Sequence, residues 1–423
     1  MSLVTSVKKV VRDRLIARAG GIDLTRLDKV PDAVSWPLRR DVMSPSPRLQ
    51  AARDDEPVQQ MASLLGLDLW LVTGDAECRE VLSDTTSYST DIRPYMGKSG
   101  STTDGDIGGL GFTDPPDHTR LRRLLTPEFT MRRLERLRPG IQAIVDRQIA
   151  EIVAAGERSE TVDLVPTFGF PIPFLVICDV LGLPDERRET FSKLATARFD
   201  VSLGGPGTIG AIGGSREFLL AEAARQRTNP GPGLIGQLIR EHGDEISDFE
   251  LGGLADGVFT GGLETSASMI ALGCAVLLED RDLWERLISE PDQVGPIVDE
   301  LLRLLSVVQV AFPRFAKHDV VVAGKLIRQG SVVVCSLPAA NRDPRVGRGD
   351  DVDLAHASGS HLAFGYGFHR CIGAELARME LKLAFPALAR RFPDMRLDVP
   401  AEDLDYRALS IVYGVNEVPV RLR

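Results

Sequence analysis

A glycine-rich loop around Cys371 constrains this chain more than any other feature. Gly365, Gly367 and Gly373 surround the cysteine, and glycine permits the tightly turned backbone that lets several N–H groups point at one sulfur. From Ile372 onward, apolar residues recur at helical spacing and predict an amphipathic helix. We therefore expect Cys371 at a helix N-terminus, where free N–H groups and the helix dipole favour a thiolate. A thiolate is a suitable ligand for iron.

A bare Gly-x-Cys is usually only a buried cysteine before a helix, so the whole pattern decides the interpretation. The pattern reads Phe364-Gly365-x-Gly367-x-His369-x-Cys371-x-Gly373. It resembles the haem-binding loop of the cytochromes P450 at every key position. This resemblance implies that Cys371 is the axial ligand and that the cofactor is haem b, iron protoporphyrin IX. Phe364 is expected to shield the sulfur from water.

Composition excludes several other classes of protein. The 423 residues carry a net charge of −10, which argues against a general nucleic-acid binder. The chain has no run of 18 or more apolar residues, so no transmembrane anchor is predicted. Its five scattered cysteines fit no disulfide or zinc pattern. These features favour a single cytoplasmic domain over residues 1–423. Met1–Gly20 predicts an amphipathic helix, which we expect to pack on the protein surface rather than lie on a membrane.

Helical periodicity dominates the chain and predicts a mainly α fold with small β-sheets. The strand-like runs are short, at Val320–Val322, Ser331–Cys335 and Val418–Arg423. The clearest helical patterns cover His118–Leu125, Arg132–Ala154, Phe249–Leu278, Asp292–Leu305 and Cys371–Arg391. The resemblance, which extends over nearly the whole chain, implies the P450 fold, with haem between the long central helix and the helix after the cysteine loop.

The predicted central helix opens with the capping box Ser247-x-x-Glu250 and contains several glycines. So many interior glycines indicate a bent helix or the close approach of something large and flat, although a helix-packing groove gives the same pattern. The stretch from Gly261 to Ser266 resembles the oxygen-binding segment of the P450 central helix. By that resemblance, Glu264 and Thr265 form an acid–alcohol pair that handles protons.

Four donors are candidates for the haem propionates. His118 and Arg122 stand at i and i+4 on one predicted helix, so both can reach one carboxylate. The same spacing also occurs on solvated basic faces. The P450 resemblance assigns the pair to the propionates and adds Arg314 and His369 as further donors.

Glu300-x-x-Arg303 resembles the buried Glu-x-x-Arg core pair of the P450 family, although such pairs usually lie on surfaces. In the family, an arginine from the following meander joins this pair. Asp351 stands about where that arginine is expected here, so Arg348 and Arg342 are the candidate third partners.

The resemblance implies a monooxygenase that inserts one oxygen atom of O₂ into an apolar substrate, by hydroxylation or epoxidation. Parts of Ser87–Gly111 and Phe191–Gly214 are expected to complete the substrate pocket. Its other predicted lining residues are Gly261, Leu263, Val307, Val310, Ala311, Phe312, Ile411 and Val412.

Electrons must come from another protein, because the chain contains no flavin, nicotinamide or iron–sulfur motif. The resemblance implies a ferredoxin and its ferredoxin reductase. A group of arginines near the cysteine-side helices is either a docking patch for an acidic ferredoxin or a basic cluster that serves only the propionates. Its members are Arg120, Arg122, Arg123, Arg132, Arg133 and Arg370. Two alternative functions remain open: a peroxide-driven haem-thiolate peroxygenase and a non-catalytic haem or ligand-binding protein.

Overall fold

The structure is a computed structural model. It describes residues 32–64, 67–91, 110–199, 204–355, 357 and 360–423, with the backbone alone at 64, 199 and 204–212. The expected N-terminal amphipathic helix lies outside the described residues. Of the two loop regions expected to complete the pocket, residues 92–109 and 200–203 also lie outside them.

The described residues form a mainly helical protein, as the periodicity predicted. The longest helix is Asp248–Glu279, here called the central helix, and the helix after the cysteine loop is Ala374–Arg391, here called the cysteine-side helix. The remaining α-helices are Asp32–Ser35, Pro47–Asp55, Asp75–Ser83, Asp117–Leu125, Met131–Gly156, Pro171–Leu181, Asp185–Phe199, Gly204–Thr228, Leu234–His242, Arg281–Ser289, Val294–Leu305 and Leu337–Ala340.

The strands are short and form small sheets. The largest sheet has five strands in the order Val58–Leu64, Leu67–Val72, Val332–Cys335, Arg314–Ala316 and Tyr88–Ser89. Within it, Leu67–Val72 and Val332–Cys335 pair in parallel. The other strands are Arg40–Asp41 with Ser44–Pro45, Val320–Val322 with Lys325–Ile327, and Arg396–Leu397, Pro419–Arg421 and Val162–Asp163 in a three-stranded sheet.

The central helix runs through the core. Its capping box is present, with the Ser247 hydroxyl accepting from Glu250 N–H and the Glu250 carboxylate accepting from Ser247 N–H. It is the one helix of the described part that is long and apolar enough to cross a membrane, and most of its apolar stretch is buried within the protein. The apolar character of this helix therefore serves the core.

Some glycines of the central helix serve helix packing. A Cβ at Gly252 would lie 2.4 Å from Leu220 Cδ2, and one at Gly262 would lie 2.7 Å from Ile177 Cδ1. Neighbouring helices therefore occupy these positions. By contrast, a Cβ at Gly261 would meet no atom within 4 Å, so Gly261 faces open space.

Candidate active site

The cysteine loop folds back on itself through backbone hydrogen bonds. Cys371 N–H donates to Phe364 O at 2.9 Å, and Gly365 N–H donates to Leu362 O at 2.8 Å. Gly365 and Gly367 have φ values of 69° and 68°, in the left-handed region that glycine adopts without strain. A Cβ at Gly367 would also lie 2.7 Å from Ser83 Cα, so both conformation and space require glycine there.

The sulfur of Cys371 is presented at the end of this loop. Cys371 is exposed, whereas the other four cysteines of the chain are buried. Desolvation by the surrounding protein raises the pKa of its thiol, while the Gly373 N–H and the nearby Arg122 act in the opposite direction. The following helix begins at Ala374 with Gly373 as its N-cap. The prediction of a helix from Ile372 was therefore wrong by two residues, because the chain completes a turn beside the sulfur first.

His118 and His369 lie together beside the cysteine loop. The ring of His118 is fully buried, with its centroid 4.3 Å from that of His369 and 4.2 Å from that of Phe368. Burial lowers the pKa of His118 to about 4 and that of His369 to about 3, so both rings are neutral at pH 7. Neither ring nitrogen of His118 has a hydrogen-bond partner among the described residues. Such orphaned buried groups call for a partner.

Two buried or half-buried arginines also lack a carboxylate partner within the described residues. Arg314 is 4% exposed, and its guanidinium donates to Phe312 O at 2.8 Å. Arg122 donates to Arg370 O at 2.7 Å. Burial lowers the pKa of each guanidinium, yet both remain cations at pH 7. Cations that are satisfied only by carbonyl groups favour an anionic ligand beside them.

On the central helix, the acid and the alcohol of the predicted pair have different partners. Thr265 Oγ1 donates to Gly261 O at 2.7 Å. Glu264 Oε1 accepts from Arg407 Nη1 at 3.0 Å. Burial raises the pKa of Glu264, and Arg407 opposes that rise. Arg407, in the C-terminal segment, therefore holds the carboxylate of Glu264, the residue directly before Thr265.

These residues fit a haem. Cys371 offers one soft ligand, the orphaned nitrogens of His118 and the unpaired Arg314 suit propionates, and Gly261 leaves open space on the central helix. No cluster of three or more His, Cys, Asp and Glu side chains suited to a metal ion occurs among the described residues. A single thiolate is therefore consistent with an iron whose other ligands come largely from a macrocycle.

Comparison with known proteins decides the family. The family model described as Cytochrome P450 matches residues 233–395. Cytochrome P450 165C4 of Amycolatopsis orientalis is 38% identical over 366 residues, which cover 86% of this chain and 89% of that protein. The chain belongs to the cytochrome P450 family. It is therefore a P450 monooxygenase, and the family implies a haem-iron cofactor.

Two further relatives extend this result over almost the whole P450 chain. Nocardicin C N-oxygenase of Nocardia uniformis subsp. tsuyamanensis is 35% identical, with 94% of this chain and 100% of that protein covered. The solved structure of P450 StaH from glycopeptide antibiotic A47934 biosynthesis superposes with a TM-score of 0.82 at 36% identity, covering 91% of this chain and 99% of that one. The P450 fold is thereby confirmed.

The predicted core pair of this P450 is buried, but its third partner differs from both candidates. Arg303 Nη2 lies 2.6 Å from Glu300 Oε1. Of the two candidates, Arg342 lies 3.0 Å from an oxygen of Asp350, and Arg348 pairs with Asp75. Neither forms an ion pair with Glu300 within the described residues.

The meander backbone takes the place of that arginine. Carbonyl oxygens of Asn341, Gly349 and Asp351 accept from Arg303 at 2.8–2.9 Å. Asp353 N–H donates to Glu300 Oε1 at 2.8 Å. Among the described residues, backbone groups rather than Arg348 or Arg342 therefore complete the Glu300–Arg303 pair.

The residues predicted for the substrate pocket fall into two groups. Gln309 N–H donates to Ile411 O at 2.9 Å, so the segments around Val310 and Ile411 run side by side. The lining candidates that are exposed or half-buried are Gly261, Val310, Ala311, Phe312, Ile411 and Val412. Leu263 is fully buried in an apolar cluster and Val307 is 8% exposed in another. Their side chains therefore serve packing here.

Sequence reasoning missed Arg407, the ion-pair partner of Glu264. It also missed Glu380, which is 2% exposed on the cysteine-side helix and hydrogen-bonds Ser266 of the central helix. Burial raises the pKa of Glu380 to about 8, so this carboxyl is mostly protonated at pH 7. The sequence signal for Glu380 was an acid within an otherwise apolar helical face. For Arg407 no local signal exists, because only tertiary folding brings it to the central helix.

Proposed function

We propose that this P450 inserts one oxygen atom of O₂ into a hydrophobic small molecule, using electrons from a ferredoxin and its reductase. We further propose that it acts in the cytoplasm as one domain over residues 1–423. The observation that carries the proposal is the adjacency of Glu264 and Thr265 on the helical turn where Gly261 faces open space. An acid and an alcohol beside open space provide what proton delivery to bound oxygen requires.

The proposed roles of the haem-side residues follow from their contacts. Cys371 provides the thiolate ligand, while Phe364 and Gly365 shape its loop. Haem, when bound, supplies oxygen activation, and a thiolate ligand favours O–O cleavage. His118, Arg122, Arg314 and His369 hold the propionates. Since His118 and His369 are neutral, they act as hydrogen-bond donors, and the two arginines supply the positive charge.

On the central helix, Thr265 and Glu264 move protons. The Thr265 hydroxyl now donates to Gly261 O and can instead donate into the adjacent open space by rotation about χ1. Glu264 has a raised pKa, which brings its protonation closer to neutral pH. To donate, it must leave Arg407 or pass its proton through water.

The proposed substrate is apolar, because Val310, Ala311, Phe312, Ile411 and Val412 offer hydrocarbon surface. The two relatives named for nocardicin C and for glycopeptide antibiotic biosynthesis support a natural product of related chemistry. A spectral binding screen should therefore include peptide-derived compounds beside fatty acids, steroids, terpenoids and polyketides.

An acidic ferredoxin would dock on exposed arginines. Arg120 pairs with Glu250, and Arg133 pairs with Glu128 and Glu241. These two arginines are therefore partly neutralised within the chain.

Arg123 and Arg132 are exposed and form no ion pair within the described residues. They are thus the best candidates for steering an acidic partner. The proposed docking patch is narrower than the six arginines predicted from the sequence.

The proposal is tested by supplying electrons in two ways. Purified protein is assayed with a bound substrate, first with NAD(P)H, ferredoxin reductase and ferredoxin, and then with hydrogen peroxide alone. We expect oxygen consumption and hydroxylated or epoxidised product in the first assay. Equal or greater product with peroxide alone would identify a peroxygenase. Substrate binding without product in either assay would identify a non-catalytic binding protein.

A further inference from the structure

A charged network lies behind the cysteine loop and involves residues that have no role in the proposed mechanism. Arg378, on the cysteine-side helix, donates from Nε to Asp299 Oδ1 at 2.6 Å and from Nη1 to Glu375 Oε1 at 2.9 Å. His361 Nε2 lies 3.7 Å from the same Asp299 oxygen. We call Asp299, His361, Glu375 and Arg378 the proximal network. The Arg378 side chain is 15% exposed, so its charge is only weakly screened by water.

The proximal network contacts the cysteine loop through Phe364. The guanidinium carbon of Arg378 lies 4.7 Å from the centroid of the Phe364 ring, within cation–π range. The backbone carbonyl of Phe364 accepts the Cys371 N–H at 2.9 Å. Arg378 therefore holds the ring that borders the loop and places a positive charge on the side of the loop that carries Phe364.

His361 contributes orientation to the proximal network, without charge. Ala363 N–H donates to His361 Nδ1 at 3.2 Å, so in the neutral ring the proton resides on Nε2. Nε2 lies 3.7 Å from Asp299 Oδ1 and 3.4 Å from Arg378 Nη2. Burial lowers the pKa of His361, which keeps the ring neutral at pH 7. The fixed charges of the network are thus one cation, Arg378, and two carboxylates, Asp299 and Glu375.

We propose that Arg378 is a positioning residue that sets the reduction potential of the iron bound by Cys371, and that Glu375 opposes it. Reduction of ferric to ferrous iron adds one electron and therefore one negative charge. A nearby cation stabilises the reduced state relative to the oxidised state, and a nearby carboxylate does the reverse. The proposal rests on Cys371 as the iron ligand.

The sign of the effect distinguishes this proposal from a purely structural role. Arg378→Gln removes the cation and leaves both carboxylates, so the potential should become more negative. Glu375→Gln removes a carboxylate that pairs with Arg378 and lies 4.0 Å from Arg370, so the potential should become less negative. Arg378→Lys keeps the charge but loses the planar guanidinium group. Its reduction potential should therefore lie between that of Arg378→Gln and that of the parent protein.

The experiment is a spectroelectrochemical titration of the haem-loaded protein with dithionite and ferricyanide. We expect each Gln variant to change the ratio of ferrous to ferric protein at fixed potential by about threefold or more, roughly 28 mV at 59 mV per tenfold. Arg390→Gln is the matched control, because Arg390 is exposed on the same helix and lies 12 residues further on, about 18 Å at the helical rise of 1.5 Å per residue. Its potential should equal that of the parent.

Several outcomes would overturn the proposal. Equal potentials in Arg378→Gln, Glu375→Gln and the control would do so, as would shifts of the same sign in both. If Arg378→Gln fails to retain haem, Glu375→Gln decides alone, since Glu375 is 42% exposed and its loss leaves Arg378 bonded to Asp299. The carbon-monoxide spectrum of each reduced variant must retain its thiolate-type band. Absence of that band from the spectrum of the parent protein would instead refute Cys371 as the ligand.

Discussion

Replacement of Glu300 by alanine should destabilise the protein strongly, although Glu300 belongs to a pair without a third arginine. Glu300 is 2% exposed and Arg303 is 6% exposed. The carboxylate accepts from Arg303 Nε at 2.9 Å and from Nη2 at 2.6 Å, and its Oε1 also accepts from Asp353 N–H. The substitution would leave one buried cation without its counter-charge and one backbone N–H without its acceptor.

The magnitude follows from these contacts. Removing one partner of a buried ion pair costs about 3–5 kcal/mol, a large part of the roughly 5–15 kcal/mol by which a folded protein is stable. The three backbone carbonyl groups that accept hydrogen bonds from Arg303 remain in place. We therefore expect a loss of stability at the lower end of that range. Glu300→Gln retains an acceptor for the Asp353 N–H, so it should lower the free energy of unfolding less than Glu300→Ala does.

The assay is denaturant unfolding, read as a shift of the midpoint together with haem content. Midpoints are compared because a large protein with a bound cofactor need not unfold in two states. The matched control is Glu135→Ala, since Glu135 and Arg138 have the same i, i+3 spacing but are 46% and 43% exposed. The control should not shift the midpoint. A Glu300→Ala protein with the parental midpoint and full haem content would refute the reasoning.

Three further predictions concern the site. Cys371→Ser should abolish the thiolate-type carbon-monoxide spectrum of the reduced protein, because the other four cysteines are buried; survival of the band would overturn the ligand assignment. Thr265→Ala should leave haem binding intact but lower the product formed per electron consumed, and Glu264→Gln should slow turnover; unchanged coupling and rate in both would remove the proton role. Arg123→Glu and Arg132→Glu should slow reduction by an acidic ferredoxin most at low salt, with haem content unchanged; a salt-independent rate in stopped-flow reduction would exclude this docking patch.

Local patterns predicted the parts of this P450 that local forces determine. The helix observed at Asp117–Leu125 and the strand at Val320–Val322 lie within one residue of their predicted bounds, because side-chain periodicity reports directly on burial. The cysteine loop was predictable for a different reason. Its glycines have backbone conformations that other residues rarely adopt, so sequence and geometry are tightly linked there.

Contacts between distant segments were not predictable in the same way. The meander carbonyls satisfy Arg303 through backbone atoms, which every residue possesses, so side-chain identity carries no signal for them. Likewise, the orientation of Leu263 toward an apolar cluster depends on which helices pack against the central helix. The sequence shows that a side chain is apolar, but it does not show which residues that side chain contacts in the fold.

Two arginines that lie outside the sequence motifs show how this P450 separates positioning from chemistry. Arg407 holds the acid of the central helix from the C-terminal segment, and Arg378 holds the ring of Phe364 from the cysteine-side helix. Each arginine acts on a group that the sequence motifs had already identified, and each comes from outside that motif. A motif therefore identifies the reacting groups, whereas long-range ion pairs fix their electrostatic surroundings. Relatives that share the cysteine loop but lack an arginine at either position should accordingly differ in reduction potential or in pH dependence while retaining the same reaction.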